Sequence, residues 1–299
     1  MRAAQLTSVV PSAKRVLLPT TKPWGCVETL WLVNGRATGL DPADRGLAYG
    51  DGLFETMAAK DGRIRWLDYH LQRLEHGCQR LGIAPVDWHE IRREIGSHCP
   101  QNGRYVVKLI ITRGSGARGY RQPESAQPTR ILSISSWPNY STADYTDGIE
   151  LRTLQFRLGE SPALAGLKHL CRLEQVLAQF ELRKSGAREG LLLDTSGYVV
   201  GGIGSNLFAI LGSELTTPQL TRCGVKGVMR RVILESATRI ELTAVERDVT
   251  PAVLQQADEL FMTNALFGIW PVAKLDQHVF KRGGKTLQLM QLLGYGPDA

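Results

Sequence analysis

Gly166-Leu167-Lys168-His169-Leu170-Cys171-Arg172-Leu173-Glu174-Gln175-Val176 puts one lysine at the mouth of an amphipathic helix. From Leu170 onward, Leu170, Leu173, Val176, Leu177 and Phe180 recur at helical spacing, which predicts a helix docked on a core with Lys168 just before it. A nucleophilic amine needs such a fixed, partly dry position, because desolvation lowers its pKa and frees the lone pair. Lys168 is therefore the candidate covalent anchor of a cofactor. The competing reading of the motif alone is an ordinary solvated lysine at a helix start.

Working outward, the 299 residues, 43% of them hydrophobic, can bury a sizeable core and favour two compact lobes over one. A formal net charge of +7 suits anionic ligands, but the basic residues are dispersed and rarely stand beside stacking aromatics, which argues against nucleic acid. Cys26, Cys78, Cys99, Cys171 and Cys223 are odd in number and contain no C-x-x-C pair, so neither a disulfide framework nor a zinc site is expected, and a reducing, cytoplasmic setting is. His70, His76, His89, His98, His169 and His278 show no metal-ligand spacing, and no metal is expected. No apolar run is long enough to span a bilayer, so no membrane partner is expected. Residues 1–27 carry Arg2, Lys14, Arg15 and Lys22 with no acid, a composition shared with organelle transit peptides; the expectation is a disordered extension or a start codon placed too early.

Pattern and turn signals divide the rest. Glu28 to Val33 reads as a strand closing on Asn34-Gly35, and Leu53 to Ala59 pairs with Arg63 to Trp66 across Asp61-Gly62. Asp68 is expected to cap a helix with the stripe Leu71, Leu74, Cys78 and Leu81, ended by Gly82, and Asp87 to cap another running to about His98. Strands Tyr105 to Thr112 and Arg130 to Ser135 flank a loop rich in glycine and arginine, making 28–140 an α+β lobe. The polar, aperiodic stretch at 141–148 reads as a linker, and 149–299 as a second lobe. The second lobe is expected to hold strands near Ile149 to Phe156, Gly190 to Leu193, Leu207 to Ile210, Leu242 to Glu246 and Glu259 to Met262, with a helix from Val228 to about Arg239.

Two glycine clusters are decoys. Gly283-Gly284-Lys285-Thr286 ends like a phosphate-binding loop, but Val279 stands where its opening glycine belongs, and a basic turn before a C-terminal helix is expected instead. Gly201-Gly202-Ile203-Gly204 lacks the G-x-G-x-x-G spacing of a dinucleotide site and reads as a tight turn. Gly227 before Val228-Met229-Arg230-Arg231 differs, because a glycine opening a helix exposes orphan N–H groups that hold a phosphate well; a plain loop-to-helix junction is the other reading. Arg73 has the planar fork to grip the same phosphate, against the commoner fate of a solvated helix-face arginine.

Taken together, the chain resembles the fold-type IV pyridoxal-phosphate enzymes, the group that contains branched-chain and D-amino-acid aminotransferases and 4-amino-4-deoxychorismate lyases. The resemblance runs from about Trp31 to the C-terminus. It rests on Val33-Asn34-Gly35, Asp44-Arg45-Gly46 with Tyr49-Gly50-Asp51-Gly52, His70-Leu71-Gln72-Arg73-Leu74, Lys168 to Glu174, Ser205-Asn206-Leu207-Phe208, Gly224 to Arg230 and Thr263-Asn264-Ala265-Leu266. Thr112 to Tyr120 and the run beginning at Lys168 are similar to the lyases rather than to the transaminases.

The resemblance implies an α+β fold with the cofactor between a smaller N-terminal and a larger C-terminal lobe, and a homodimer. It implies pyridoxal 5'-phosphate held as a Schiff base on Lys168, with Arg73 and the backbone N–H groups of Val228 and Met229 on its phosphate and Asn264 closing that site. It further implies conversion of 4-amino-4-deoxychorismate to 4-aminobenzoate and pyruvate for folate biosynthesis. The substrate carries two carboxylates, so Lys108, Arg113 and Arg118 are its candidate partners, with Tyr120 lining the same opening. One departure stands out: Gly201 occupies the place of the glutamate that pairs with the pyridine nitrogen in the group, and Cys171 replaces an asparagine common in the lyase motif. A lost electron-sink partner harms transamination more than an elimination driven by aromatisation. The alternatives are a D-amino-acid or branched-chain aminotransferase, or a catalytically impaired cofactor-binding protein.

Overall fold

A computed structural model describes residues 29–281 and 283–296; the expected extension at 1–27 lies outside them. The first half comprises β1 (Leu30–Val33), α1 (Arg45–Tyr49), β2 (Gly52–Lys60), β3 (Arg63–Ile64), α2 (Leu67–Leu81), α3 (Trp88–His98), β4 (Arg104–Thr112) and β5 (Thr129–Ser136). Its strands form a five-stranded antiparallel sheet in the order β1-β5-β4-β2-β3. Alternation along β2 and β4 sends Leu53, Met57, Val107, Leu109 and Ile111 to one face, where Leu71, Leu74 and Cys78 of α2 bury against them. The opposite face carries Phe54 and Thr56, and Lys108 pairs directly across from Thr56.

The second half contains α4 (Thr142–Thr146), β6 (Ile149–Leu158), α5 (Leu173–Leu182), β7 (Glu189–Asp194), β8 (Val199–Gly202), β9 (Asn206–Leu211), β10 (Glu214–Pro218) and α6 (Val228–Ser236). It ends with β11 (Thr243–Arg247), α7 (Pro251–Gln255), β12 (Glu259–Asn264), β13 (Gly268–Leu275), β14 (His278–Val279) and α8 (Gly284–Leu293). A nine-stranded mixed sheet runs β11-β10-β9-β12-β13-β6-β7-β8, with β14 paired to β13. The apolar face of α6 (Val228, Met229, Val232, Ile233) and Leu289 and Met290 of α8 bury on it around the stacked rings of Phe208 and Phe261.

Three local expectations are corrected. Asp68 does not cap α2: Trp66 occupies that place at φ 57°, and Asp68 pairs from the first turn with Arg92 at 2.7 Å. The stretch read as a structureless linker contains α4, because Ser141 and Asp144 form a reciprocal capping box that seeds a turn and buries Tyr145. The stripe on α5 does not dock on its own core. Leu173, Val176, Leu177 and Phe180 are 54–76% exposed, while Ala178 and Leu182 pack against β6 and β7. Periodicity reports that a helix face is apolar, and not that it is covered.

Candidate active site

Lys168 is fixed by strand-like pairing of its loop with β2. Phe54 N donates to Lys168 O at 3.0 Å and Leu170 N to Gly52 O at 3.0 Å, so the side chain is delivered over the free face of the first sheet. There its Nζ lies 4.2 Å from the centre of the Phe54 ring, while Lys108 Nζ stands 5.2 Å from the same ring. The amine is buried in a cavity of about 320 Å³ whose lining includes Phe54, Arg73, Arg172, Ser205, Asn206, Val228, Met229 and Asn264. Burial, then the cations Arg73, Arg172 and Lys108, push its pKa down to about 7, with Glu55 opposing them.

Arg73 is no solvated helix-face residue. Its Nε and Nη2 donate to the two oxygens of Glu55 at 2.8 and 2.5 Å, and Nη1 donates to Lys226 O at 3.0 Å, tying α2 to the loop before α6. His70 Nδ1 lies 2.6 Å from Glu55 Oε2. Burial alone would raise the Glu55 carboxyl, but the Arg73 guanidinium and His70 outweigh it and hold it at about 2.

The loop-to-helix junction at α6 is built for an anion. Gly227 is its N-cap with no side-chain cap hydrogen bond, so the N–H groups of Val228 and Met229, both in the cavity lining, are first-turn donors without helical partners. Asn206 sets this terminus: its Oδ1 accepts from Gly227 N at 3.1 Å and its Nδ2 donates to Val225 O at 2.9 Å. A Cβ at residue 227 would fall 2.1 Å from that Oδ1, which explains the glycine. Asn264 Oδ1 accepts from Leu266 N and Phe267 N, and its Nδ2 donates to Gly204 O at 3.3 Å, so it joins the β12 end to the turn after β8.

Lys168, Arg73, Val228, Met229 and Asn264 thus line one cavity. The expected substrate cations divide. Lys108 is outside the lining but brings its Nζ to 5.2 Å from the Phe54 ring that borders the cavity, whereas Arg113 is 6% exposed and commits its guanidinium to Asp51, Leu81 O and Gly82 O. Arg118 and Tyr120 are exposed and outside the lining. The sequence reading assigned no role to Glu55 or Asn206; Arg172, which the sequence leaves open between the substrate and the helix exterior, donates from Nε and Nη2 to His169 O and Leu167 O and borders the cavity. Asn206 was visible in the Ser205-Asn206-Leu207-Phe208 motif; Glu55 carried no signal beyond its place in an apolar strand. Among the described residues no group of three or more His, Cys, Asp or Glu side chains is placed to hold a metal ion, and no helix is long and apolar enough to cross a membrane.

Gly201 closes the far strand of the site at φ 152°, and a Cβ there would meet Ser205 O at 2.9 Å. No side chain lining the cavity is acidic.

A two-layered α+β frame carrying a near-neutral lysine opposite an uncapped helix terminus defines the class, and residues 52–275 match the amino-transferase class IV family; the chain belongs to it. Its relatives include an aminodeoxychorismate lyase of Vibrio harveyi, 34% identical over 82% of this chain and 90% of that protein. A putative branched-chain-amino-acid aminotransferase of Methanocaldococcus jannaschii is 32% identical over 79% and 82%. Among solved structures, the 4-amino-4-deoxychorismate lyase from Pseudomonas aeruginosa superposes with a TM-score of 0.84 at 50% identity, covering 88% of this chain and 98% of that one.

Proposed function

We infer that this chain is a pyridoxal-phosphate-dependent lyase that converts 4-amino-4-deoxychorismate to 4-aminobenzoate and pyruvate for folate biosynthesis. It works in the cytoplasm as a homodimer of two-lobed subunits (28–140 and 149–299). The observation that carries the reading is the buried Lys168 amine, held near neutrality across from the α6 terminus in a chain 50% identical to a solved lyase.

The residues present fit the cofactor. The uncapped N–H groups of Val228 and Met229 suit a phosphate dianion, Arg73 adds its charge and the Nη N–H groups not taken by Glu55 and Lys226 O, and Lys168 suits an aldehyde. When bound, the cofactor supplies that aldehyde and an electron-withdrawing ring that acidifies the carbon beside the substrate nitrogen. Lys168 would hold the cofactor through its aldehyde, and its Nζ is the base that would take the proton from the amine-bearing carbon of the substrate. A pKa lowered to about 7 leaves a substantial share of the amine unprotonated near neutral pH, as a base requires. Arg73 brings positive charge to the site, and Glu55 keeps Arg73 aimed. Lys108 and Arg172 offer cations to the substrate carboxylates, replacing Arg113 and Arg118 in that role within one chain. Pyruvate leaves from the neighbouring carbon, and the aromatic ring so formed favours elimination even without a carboxylate at residue 201.

The uncovered stripe of α5 supports a second copy of this chain as partner, since four large apolar side chains in two turns are rarely left to water. Incubation with 4-amino-4-deoxychorismate alone is expected to release 4-aminobenzoate, and Lys168→Ala to abolish release. Dependence on an added keto acid would instead favour the aminotransferase activity of the Methanocaldococcus relative.

A further inference from the structure

Glu189 is a buried carboxylate that the reaction above does not use. It opens β7, beside β8, and its Oε1 accepts from Gly190 N at 2.9 Å and from Ile203 N at 3.2 Å. Its Oε2 accepts the Ser205 hydroxyl at 2.9 Å. Ser205 in turn borders the cavity. The two groups fill the space behind Gly202, where a Cβ would lie 2.2 Å from Ser205 Oγ and 3.1 Å from Glu189 Cδ. Glu189 is thus the carboxylate one hydroxyl behind a cavity wall that itself holds only cationic and neutral groups.

Direction matters in this pair. A carboxylate accepts and cannot donate, so the Ser205 proton is committed to Glu189 and the serine presents lone pairs to the cavity. Such a hydroxyl receives an N–H and repels a bare nitrogen lone pair. In pyridoxal phosphate the ring nitrogen lies para to the carbon bearing the aldehyde, so with the aldehyde at Lys168 the nitrogen faces away from that amine. Lys168 leans on Phe54 of the first sheet, and Ser205 stands on the β8–β9 turn of the second, next to the residue-201 position where the carboxylate is missing.

We propose that Ser205, oriented by Glu189, accepts a hydrogen bond from the protonated ring nitrogen of the cofactor, so that a carboxylate acting through a hydroxyl serves where Gly201 offers none. Glu189 is a positioning residue in this arrangement: burial raises its carboxyl, and the Gly190 N–H, the Ser205 hydroxyl and the Ile203 N–H oppose that rise by donating to the charged form. The inference rests on the cofactor assignment above.

The test is the nitrogen-15 spectrum of holoenzyme loaded with ring-labelled pyridoxal phosphate, together with its absorption spectrum, for the wild type, Ser205→Ala and Glu189→Gln. Circular dichroism and bound cofactor per chain establish that each variant is folded and loaded. Ser205→Ala is the milder change, since Glu189 keeps its backbone donors. The wild type is expected to show a pyridinium resonance, and both variants a shift toward the unprotonated pyridine position with a matching change in absorption. An unprotonated nitrogen in loaded wild type, or a pyridinium resonance that survives in both loaded variants, overturns the inference alone. Failure of the wild type to bind the cofactor overturns the functional reading, and the inference with it.

Discussion

Replacing Glu55 by glutamine removes the charge on which Arg73 and His70 converge. The carboxyl is 1% exposed and held at about 2 against an ordinary 4.5. At about 1.4 kcal/mol per pH unit, that difference corresponds to about 3 kcal/mol of folding stability. Because the folded pKa is depressed, this contribution is complete above pH 4.5 and is lost as pH falls toward 2. Glutamine keeps the shape but leaves Arg73 without a counter-ion in a nearly dry site, a loss typically of about 3 kcal/mol or more. Urea unfolding of cofactor-free wild type and Glu55→Gln should therefore differ by about 3 kcal/mol at pH 7, with the gap narrowing steadily below pH 4.5. A gap below about 1 kcal/mol at pH 7, or one that stays constant on acidification, would refute the reasoning. The same change should lower the Lys168 pKa further, since Glu55 is the charge opposing its fall.

Other outcomes follow from the same geometry. Lys168→Met should stabilise the cofactor-free protein below pH 7, because burying the charged amine opposes folding there, and the advantage should vanish as pH rises toward 10.5; thermal melts across pH measure it. Asn206→Ala leaves Gly227 N and Val225 O unpartnered and should weaken cofactor binding by about 1–3 kcal/mol, roughly five- to 150-fold, in equilibrium titration. Phe180→Arg with Leu177→Arg should shift sedimentation from dimer to monomer while leaving the chain folded. Gly201→Glu should cost stability before it changes turnover, because the backbone at φ 152° leaves no room for a Cβ beside Ser205 O; a well-folded variant with turnover raised by orders of magnitude would contradict the account of residue 201.

What the sequence made legible was whatever is local or strictly periodic. Gly82 and Asp87 end and begin α2 and α3 as their chemistry dictates, and Gly227 opens α6 where the orphan N–H argument put it. Motif order brought Lys168, Arg73, Val228, Met229 and Asn264 together, although they lie as many as 191 residues apart, from Arg73 to Asn264. β8, β10 and β14 escaped because, at 4, 5 and 2 residues, they are too short to carry a periodic signal, although each pairs with the strand just before it. Arg113 was misplaced for a different reason: nothing local reveals that Asp51 and two helix-terminal carbonyls will absorb its guanidinium. The α5 stripe was read as docked on the chain's own core and is instead exposed, because periodicity reports an apolar face and not what lies against it.

The central claim is that the ε-amino group of Lys168 carries the coenzyme. Borohydride reduction of the loaded protein followed by peptide mapping tests it most directly. The account predicts a cofactor-sized mass fixed on the peptide containing Lys168 and absent from Lys168→Ala; label on another lysine, or none on a protein that binds the cofactor, would contradict it.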